Sequence, residues 1–187
     1  MTTISVEFKR KSDFPRKLIP LLLTVAIIAS DQLTKILITK YIPLTYPPSV
    51  WKSFFGDFLR LIHVCNPGIA FSIGQGWSLT VRSILFRVVP LAVLIIVLVI
   101  YFKNDDFSRL QRWAIAGIAG GGFGNLIDRF FRKEGVVDFI DVKFYGLFGM
   151  ERWPTFNVAD ASVVICGILL IISFLLTIKK AKKAGGR

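Results

Sequence analysis

Residues 88–102 read VVPLAVLIIVLVIYF, an apolar run without a single charge, and residues 163–176 read VVICGILLIISFLL. A bilayer crossing needs about 20 mostly apolar residues in a helix. Four stretches meet that description: 18–38, 84–102, 111–127 and 158–178. The third is shorter and rich in glycine, which places it inside a bundle with neighbours on all sides. Hydrophobic residues make up 53% of the chain and the mean hydropathy is +0.61, which argues against a water-soluble domain and against disorder. The net charge of +12 could suggest a nucleic-acid partner. In a chain this apolar it points to membrane-flanking loops and tails instead, and no nucleic acid is expected.

The N-terminus, with Lys9, Arg10, Lys11, Arg16 and Lys17 before an apolar run, is built like a secretory signal. The run is too long for one, lacks a small-residue cleavage site and carries Asp31, Gln32 and Lys35, so a retained anchor is expected. Basic residues recur at Lys103, Arg109 and Arg112, and again at Lys179, Lys180, Lys182, Lys183 and Arg187. With four spans these segments share one side of the membrane, and the positive-inside rule makes that side cytoplasmic. Both termini are then cytoplasmic. The segments 39–83 and 128–157 face outward, and 1–187 form one integral-membrane domain without repeats. The composition of 58–73 is that of strands, broken by the turn signal Asn66-Pro67-Gly68, so a small sheet is expected at the outer membrane surface. The expected fold is membrane all-α, a four-helix bundle capped by an extracytoplasmic β-sheet and loops.

Ionisable groups inside spans are costly, roughly 2.5–3.5 kcal/mol each at mid-helix on insertion scales. Asp31 and Lys35 share a face of the first span; Asn125, Asp128 and Arg129 close the third; Asn157 and Asp160 open the fourth. Counting spans puts all seven at the outer end. Each also has a structural reading: an ion pair, amide contacts between helices, an Asn157 helix cap, or charges complementing helix dipoles. Asp138 sits in the apolar run Val136-Val137-Asp138-Phe139-Ile140-Asp141 and has no capping explanation. Gly117 with Gly121 and Gly120 with Gly124 give two GxxxG spacings, which mark close helix packing. Gly121, Asn125 and Arg129 form one stripe along the helix.

His63 is the only histidine and falls in an expected strand, which leaves little basis for a Ser-His-Asp or Cys-His apparatus. No zinc-type spacing is present, and neither a metal nor a cofactor is expected. Cys65, expected in an outward loop, and Cys166, expected mid-membrane, are too far apart for a disulfide. Two readings remain open at this stage: an acid-based hydrolase, or a small proton-coupled transporter or its accessory subunit, which would also use intramembrane acids. Carriers place their sites near the midplane, often between inverted repeats, whereas these acids gather at one end.

Five blocks, in order, resemble the lipoprotein signal peptidases (signal peptidase II), bacterial membrane aspartyl proteases. They are Asp31-Gln32-Leu33-Thr34-Lys35, Asn66-Pro67-Gly68-Ile69-Ala70-Phe71, the segment from Gly121 to Arg129, Val136 to Asp141, and Phe156-Asn157-Val158-Ala159-Asp160. The resemblance implies Asp138 and Asp160 as the catalytic pair, working as one unit with a shared proton. It implies that Asp31, Lys35, Asn66, Gly121, Asn125, Arg129 and Asn157 shape the site or bind substrate and the inhibitor globomycin. It also implies an inner-membrane enzyme in contact with membrane lipid; the sequence does not fix its oligomeric state, and a monomer is expected. Its substrate would be a prolipoprotein carrying diacylglycerol on a Cys, and the cut would fall just before that Cys. Pro67, Ile69 and the long stretch 142–156 depart from the family's usual pattern.

Overall fold

The computed structural model describes residues 14–68 and 77–185, which form a helical bundle with a three-stranded sheet at one end. Lys9, Arg10, Lys11, Arg187 and the block residues Ile69, Ala70 and Phe71 lie outside the described residues. Helix α1 (Phe14–Leu18) leads through Pro20 into α2 (Leu21–Tyr41). Helix α2 stops where Pro43 follows Ile42, because the residue before a proline is pushed out of the helical region and Ile42 is extended (φ −117°, ψ 115°). The helix therefore runs three residues beyond the expected end at Ile38.

The second apolar run is not one uniform helix. Helix α3 (Leu79–Ser83) passes through a π-helical turn, Ile84–Val88, into α4 (Val89–Lys103). Pro90, which has no N–H to give to the Phe86 carbonyl four residues back, lies just beyond this turn. Helix α5 (Arg109–Phe131) opens on a capping box in which Ser108 Oγ accepts from the Gln111 N–H at 3.2 Å and Gln111 Oε1 accepts from the Ser108 N–H at 2.8 Å. Helix α6 (Val158–Gly185) carries the basic tail as a helical extension.

Among the described residues, Arg16–Tyr41, Ile84–Lys103 and Val158–Lys179 are long and apolar enough to cross a bilayer. Helix α5 matches them in length, with 23 residues, but its glycines and polar side chains dilute its apolar character. It extends beyond the expected 111–127 at both ends. The apolar pattern breaks at Asp128, yet the helix continues because that carboxylate is buried against Lys35. Arg112, at the inward end of the expected third span, lies within α5 and is 7% exposed. Its guanidinium donates to the carbonyls of Tyr101 (3.4 Å), Asn104 (3.0 Å) and Asp105 (3.4 Å).

The two GxxxG stripes of α5 face different neighbours. Gly117 and Gly121 lie against α6, where a Cβ on Gly121 would collide with the Ala159 carbonyl oxygen. Gly120 and Gly124 lie against α2, where a Cβ on Gly124 would stand 2.8 Å from Asp31 Oδ2. Hydroxyls seal both seams: Thr24 Oγ1 donates to the Ala116 carbonyl at 2.7 Å and Ser162 Oγ to the Gly117 carbonyl at 3.0 Å. Small residues thus bring three backbones close enough for side chains of α2, α5 and α6 to meet at one level.

Strands β1 (Lys52–Phe54), β2 (Leu59–Asn66) and β3 (Val136–Val142) form an antiparallel sheet in that order. The expected strand does break at Asn66. Cys65, expected in a loop, lies on β2, and no disulfide joins it to Cys166. Leu61 pairs with Ile140 and Val64 with Asp138, so β2 carries one extra residue between these pairs, a bulge that resets the register beside Asp138. Alternation along β3 directs Val137 and Phe139 into a cluster with Ile38 and Ile42 of α2. Asp138, between them, faces the other way. His63 fastens the sheet to α2 through a 2.7 Å bond between its Nδ1 and the Ile42 carbonyl. The long stretch after β3 is tied back by Arg152, whose Nε lies 2.7 Å from both carboxylate oxygens of Asp141.

Candidate active site

Asp138 is 4% exposed and sits on β3 against the N-terminal end of α6. Its Oδ1 accepts from Asn157 Nδ2 at 2.7 Å and its Oδ2 from Asn66 Nδ2 at 3.3 Å. Burial, followed by repulsion from Asp160, pushes the Asp138 carboxyl up from 3.8 to about 7, against the pull of these two amide donors. Asn66 is itself held by the turn that follows it, because its Oδ1 accepts from the Gly68 N–H at 3.0 Å.

Asn157 and Asp160 cap α6 reciprocally. Asn157 Oδ1 accepts from the Asp160 N–H at 2.9 Å, and Asp160 Oδ2 accepts from the Asn157 N–H at 3.2 Å. Capping leaves one Asp160 oxygen over, and Oδ1 takes a 2.6 Å bond from Asn125 Nδ2. The side-chain amide of Asn157 is likewise free to reach outward, donating to Asp138 and, at 3.1 Å, to Asn125 Oδ1. The two aspartates, 22 positions apart in sequence, are thereby joined through Asn157 and Asn125. Asp160 also lies in the first turn of α6, where the helix dipole favours an anion.

Behind the amides lies an ion cluster sealed from solvent. Lys35 Nζ sits 2.8 Å from Asp31 Oδ2 and 2.8 Å from Asp128 Oδ2, with all three side chains at 0% exposure. Its remaining bond, 3.1 Å, goes to Asn125 Oδ1. Asp31 Oδ1 accepts from the Ala159 N–H at 3.0 Å and so caps α6 from across the bundle. Asp128 accepts from the Val137 N–H at 3.2 Å, from Arg132 Nε at 2.9 Å and from Gln32 Nε2 at 3.1 Å. Asp128 is thus the link between the helices and β3, a weight that its place in the sequence understates. Gln32 and Arg132 complete its shell; Gln32 stood out in the sequence only as a polar residue within a span, and the one signal for Arg132, its i, i+4 spacing from Asp128, went unused.

The residues singled out from the sequence therefore fall into distinct places. Asn66, Asn125, Asn157, Asp138 and Asp160 share one hydrogen-bonded network. Asp31 and Lys35 stand behind it, and Gly121 lies one turn below Asn125 as a packing surface for α6. Arg129 is at the same end but turns elsewhere: its Nη1 donates to the Phe86 carbonyl at 3.3 Å, the carbonyl that Pro90 leaves without its α-helical donor. Among the described residues no three His, Cys, Asp or Glu side chains are grouped to hold a metal ion.

The family model for signal peptidase (SPase) II matches residues 23–176. This chain belongs to the signal peptidase II family. It is 50% identical over 159 residues to the lipoprotein signal peptidase of Treponema pallidum, covering 85% of this chain and 84% of that one. The lipoprotein signal peptidase of Treponema denticola is 51% identical over 165 residues, covering 88% and 93%. That of Borrelia turicatae is 47% identical over 144 residues, covering 77% and 81%. Two structures of a bacterial membrane enzyme solved by the in meso method, at 2.3 and 1.9 Å resolution, superpose with TM-scores of 0.70 and 0.68 at 28% identity. They account for 86% and 83% of this chain, and the aligned parts make up 90% and 92% of theirs. Membership makes the chain an integral membrane peptidase of the aspartic type. The proton-coupled carrier reading falls away.

Proposed function

We propose that this signal peptidase II crosses the bilayer four times, through α2, the segment of the π-turn and α4, α5, and α6, as one domain with both termini in the cytoplasm. Its substrate is a prolipoprotein already bearing diacylglycerol on a Cys, and it removes the signal peptide by cutting before that Cys. Asp138 and Asp160 are its catalytic pair. The single observation that carries this reading is the Asn157 bridge, which donates to Asp138 while capping with Asp160.

Two close carboxylates in a desolvated site retain one proton between them. Asp138, raised to about 7, is the member that keeps it at neutral pH. Asp160 accepts two hydrogen bonds at a helix N-terminus and carries the negative charge. Asp160 takes a proton from water as the hydroxyl attacks the scissile carbonyl carbon, and Asp138 gives its proton to the carbonyl oxygen. The tetrahedral diol then collapses: Asp160 passes its proton to the leaving nitrogen, and Asp138 recovers one from a diol hydroxyl. No acyl-enzyme forms. Asn66 and Asn157 orient Asp138, and Asn125 orients Asp160. Asp31 and Lys35, without solvent exposure, are positioning residues that act through Asn125 and the α6 cap. Arg129, half-buried at the rim, is placed to hold the substrate backbone.

The test is removal of the signal peptide from a lipidated pre-lipoprotein by purified enzyme, followed by mass, with unlipidated substrate as the poor comparison. Asp138→Asn and Asp160→Asn should each lower the rate by at least about 10³-fold, on the scale of losing one member of a coupled catalytic unit. Near-normal cleavage by either variant would overturn the assignment.

A further inference from the structure

Cations are disfavoured on the outer side of a membrane protein, and several of those placed there by the proposed topology are neutralised by nearby acids. Arg60 and Lys143 pair with Asp57, and Arg152 with Asp141. One group is different. Arg87, Arg129, Arg132 and Lys133 line a single cavity of about 480 Å³, together with Ser83 and Gly135, and no carboxylate lines it. Arg132 is paired with Asp128 on its far side. Arg87, Arg129 and Lys133 form no ion pair with any described residue, and Arg129 Nε is buried without a hydrogen-bond partner.

The cavity lies between the π-turn of the second span and the last turn of α5. Phe130 and Phe131 beside it are 48% and 83% exposed, the aromatic signature of the bilayer interface. A cavity lined by three cations that lack an ion-paired carboxylate, one of them with a guanidinium N–H left unbonded, is complementary to a phosphate group. Guanidinium groups hydrogen-bond phosphate oxygens in pairs, and at the interface the abundant phosphates are those of lipid headgroups.

We propose that this cavity binds the headgroup phosphate of an anionic phospholipid from the outer leaflet, seating the lipid beside the active site. The inference rests on the outward placement of this end of the bundle but not on catalysis. Native mass spectrometry of the detergent-purified enzyme, titrated with phosphatidylglycerol or phosphatidylcholine, tests it. Phosphatidylglycerol should bind preferentially, because the choline ammonium is repelled by the same cations. The Arg87→Gln/Lys133→Gln double variant should bind it roughly 30-fold more weakly, about fivefold per removed cation. Arg87→Lys/Lys133→Arg, which keeps both charges, should bind it as the wild type does. Asp138→Asn should also retain binding, so a failure of the peptidase assignment and a failure of this one are separable. Equal binding of the two lipids, or undiminished binding by the double glutamine variant, overturns the proposal. Displacement of phosphatidylglycerol by equimolar inorganic phosphate would assign the cavity to the free anion and overturn the lipid.

Discussion

Asn157 donates to Asp138 at 2.7 Å with the same side chain whose oxygen caps the Asp160 N–H at 2.9 Å. One residue therefore ends a loop, starts a helix and holds two carboxylates together. Stability and chemistry are separable at this position because they use different atoms. The Asn157→Ser variant keeps a capping oxygen but loses the bridging amide. Asn157→Ala should cost about 1 kcal/mol of stability, as lost caps do, and Asn157→Ser should recover most of it. Neither should recover cleavage. Thermal unfolding in detergent, beside the lipoprotein-cleavage assay, checks both halves.

The raised Asp138 carboxyl makes a signed prediction about pH. In the proposed mechanism cleavage requires its proton, so the rate should fall above about pH 7, approaching tenfold per pH unit. A rate that keeps climbing from pH 7 to pH 9 would contradict the assigned acid.

The same group links to stability with the opposite sense to most aspartates. Its folded value of about 7 lies above the ordinary 3.8, so the folded state binds the proton more tightly. The associated stability is fully present below about pH 4 and is lost as pH rises through about 7. Asp138→Asn lacks the penalty of the buried anion. Its melting temperature should exceed the wild type's at pH 8, with the gap closing by pH 4.

Lys35 neutralises two carboxylates that have no access to water. Lys35→Met should destabilise the fold by about 3–5 kcal/mol, the cost of leaving buried charge uncompensated. Adding Asp31→Asn and Asp128→Asn should restore part of that loss. The order of melting temperatures across the single and triple variants is the measurement.

Gly121 and the Ala159 carbonyl set the distance between α5 and α6. Gly121→Ala should push the helices apart and cost about 1–3 kcal/mol, as overpacking does. Cleavage should fall with it, since Asn125 and Asp160 meet across the same seam at 2.6 Å. Gly167→Ala, with nothing within 4 Å of its added Cβ, is the neutral comparison.

Much of this was legible in the chain itself, because apolar length and charge spacing are local quantities. The runs that became α2, α4 and α6 and the gathering of polar residues at one end follow from counting residues against a bilayer, and the break after Asn66 follows from its Asn-Pro-Gly turn signal. The two GxxxG spacings announced close packing, though not that one faces α6 and the other α2. Helix ends were less legible. The apolar pattern stops at Asp128, and only its burial against Lys35, 93 positions earlier, lets α5 continue. Arg109 and Ser108 show the same at the other end: the helix begins two residues before the expected Gln111, and Arg112 is tolerated inside it because the carbonyls of Tyr101, Asn104 and Asp105 receive its guanidinium.

By itself the sequence determined that the chain is a membrane protein with an acid- and amide-rich end. Only the tertiary structure decided which acid meets which amide. Asp31 and Lys35 proved to be a sealed support, Asp128 the joint between helix and sheet, and Arg129 the partner of a proline-freed carbonyl. Those assignments rest on ion pairs and hydrogen bonds, to backbone as well as side chains, that join separate elements of the fold. Such bonds last only where water is excluded and backbones approach closely, a condition that belongs to the packed bundle and not to any stretch of the chain.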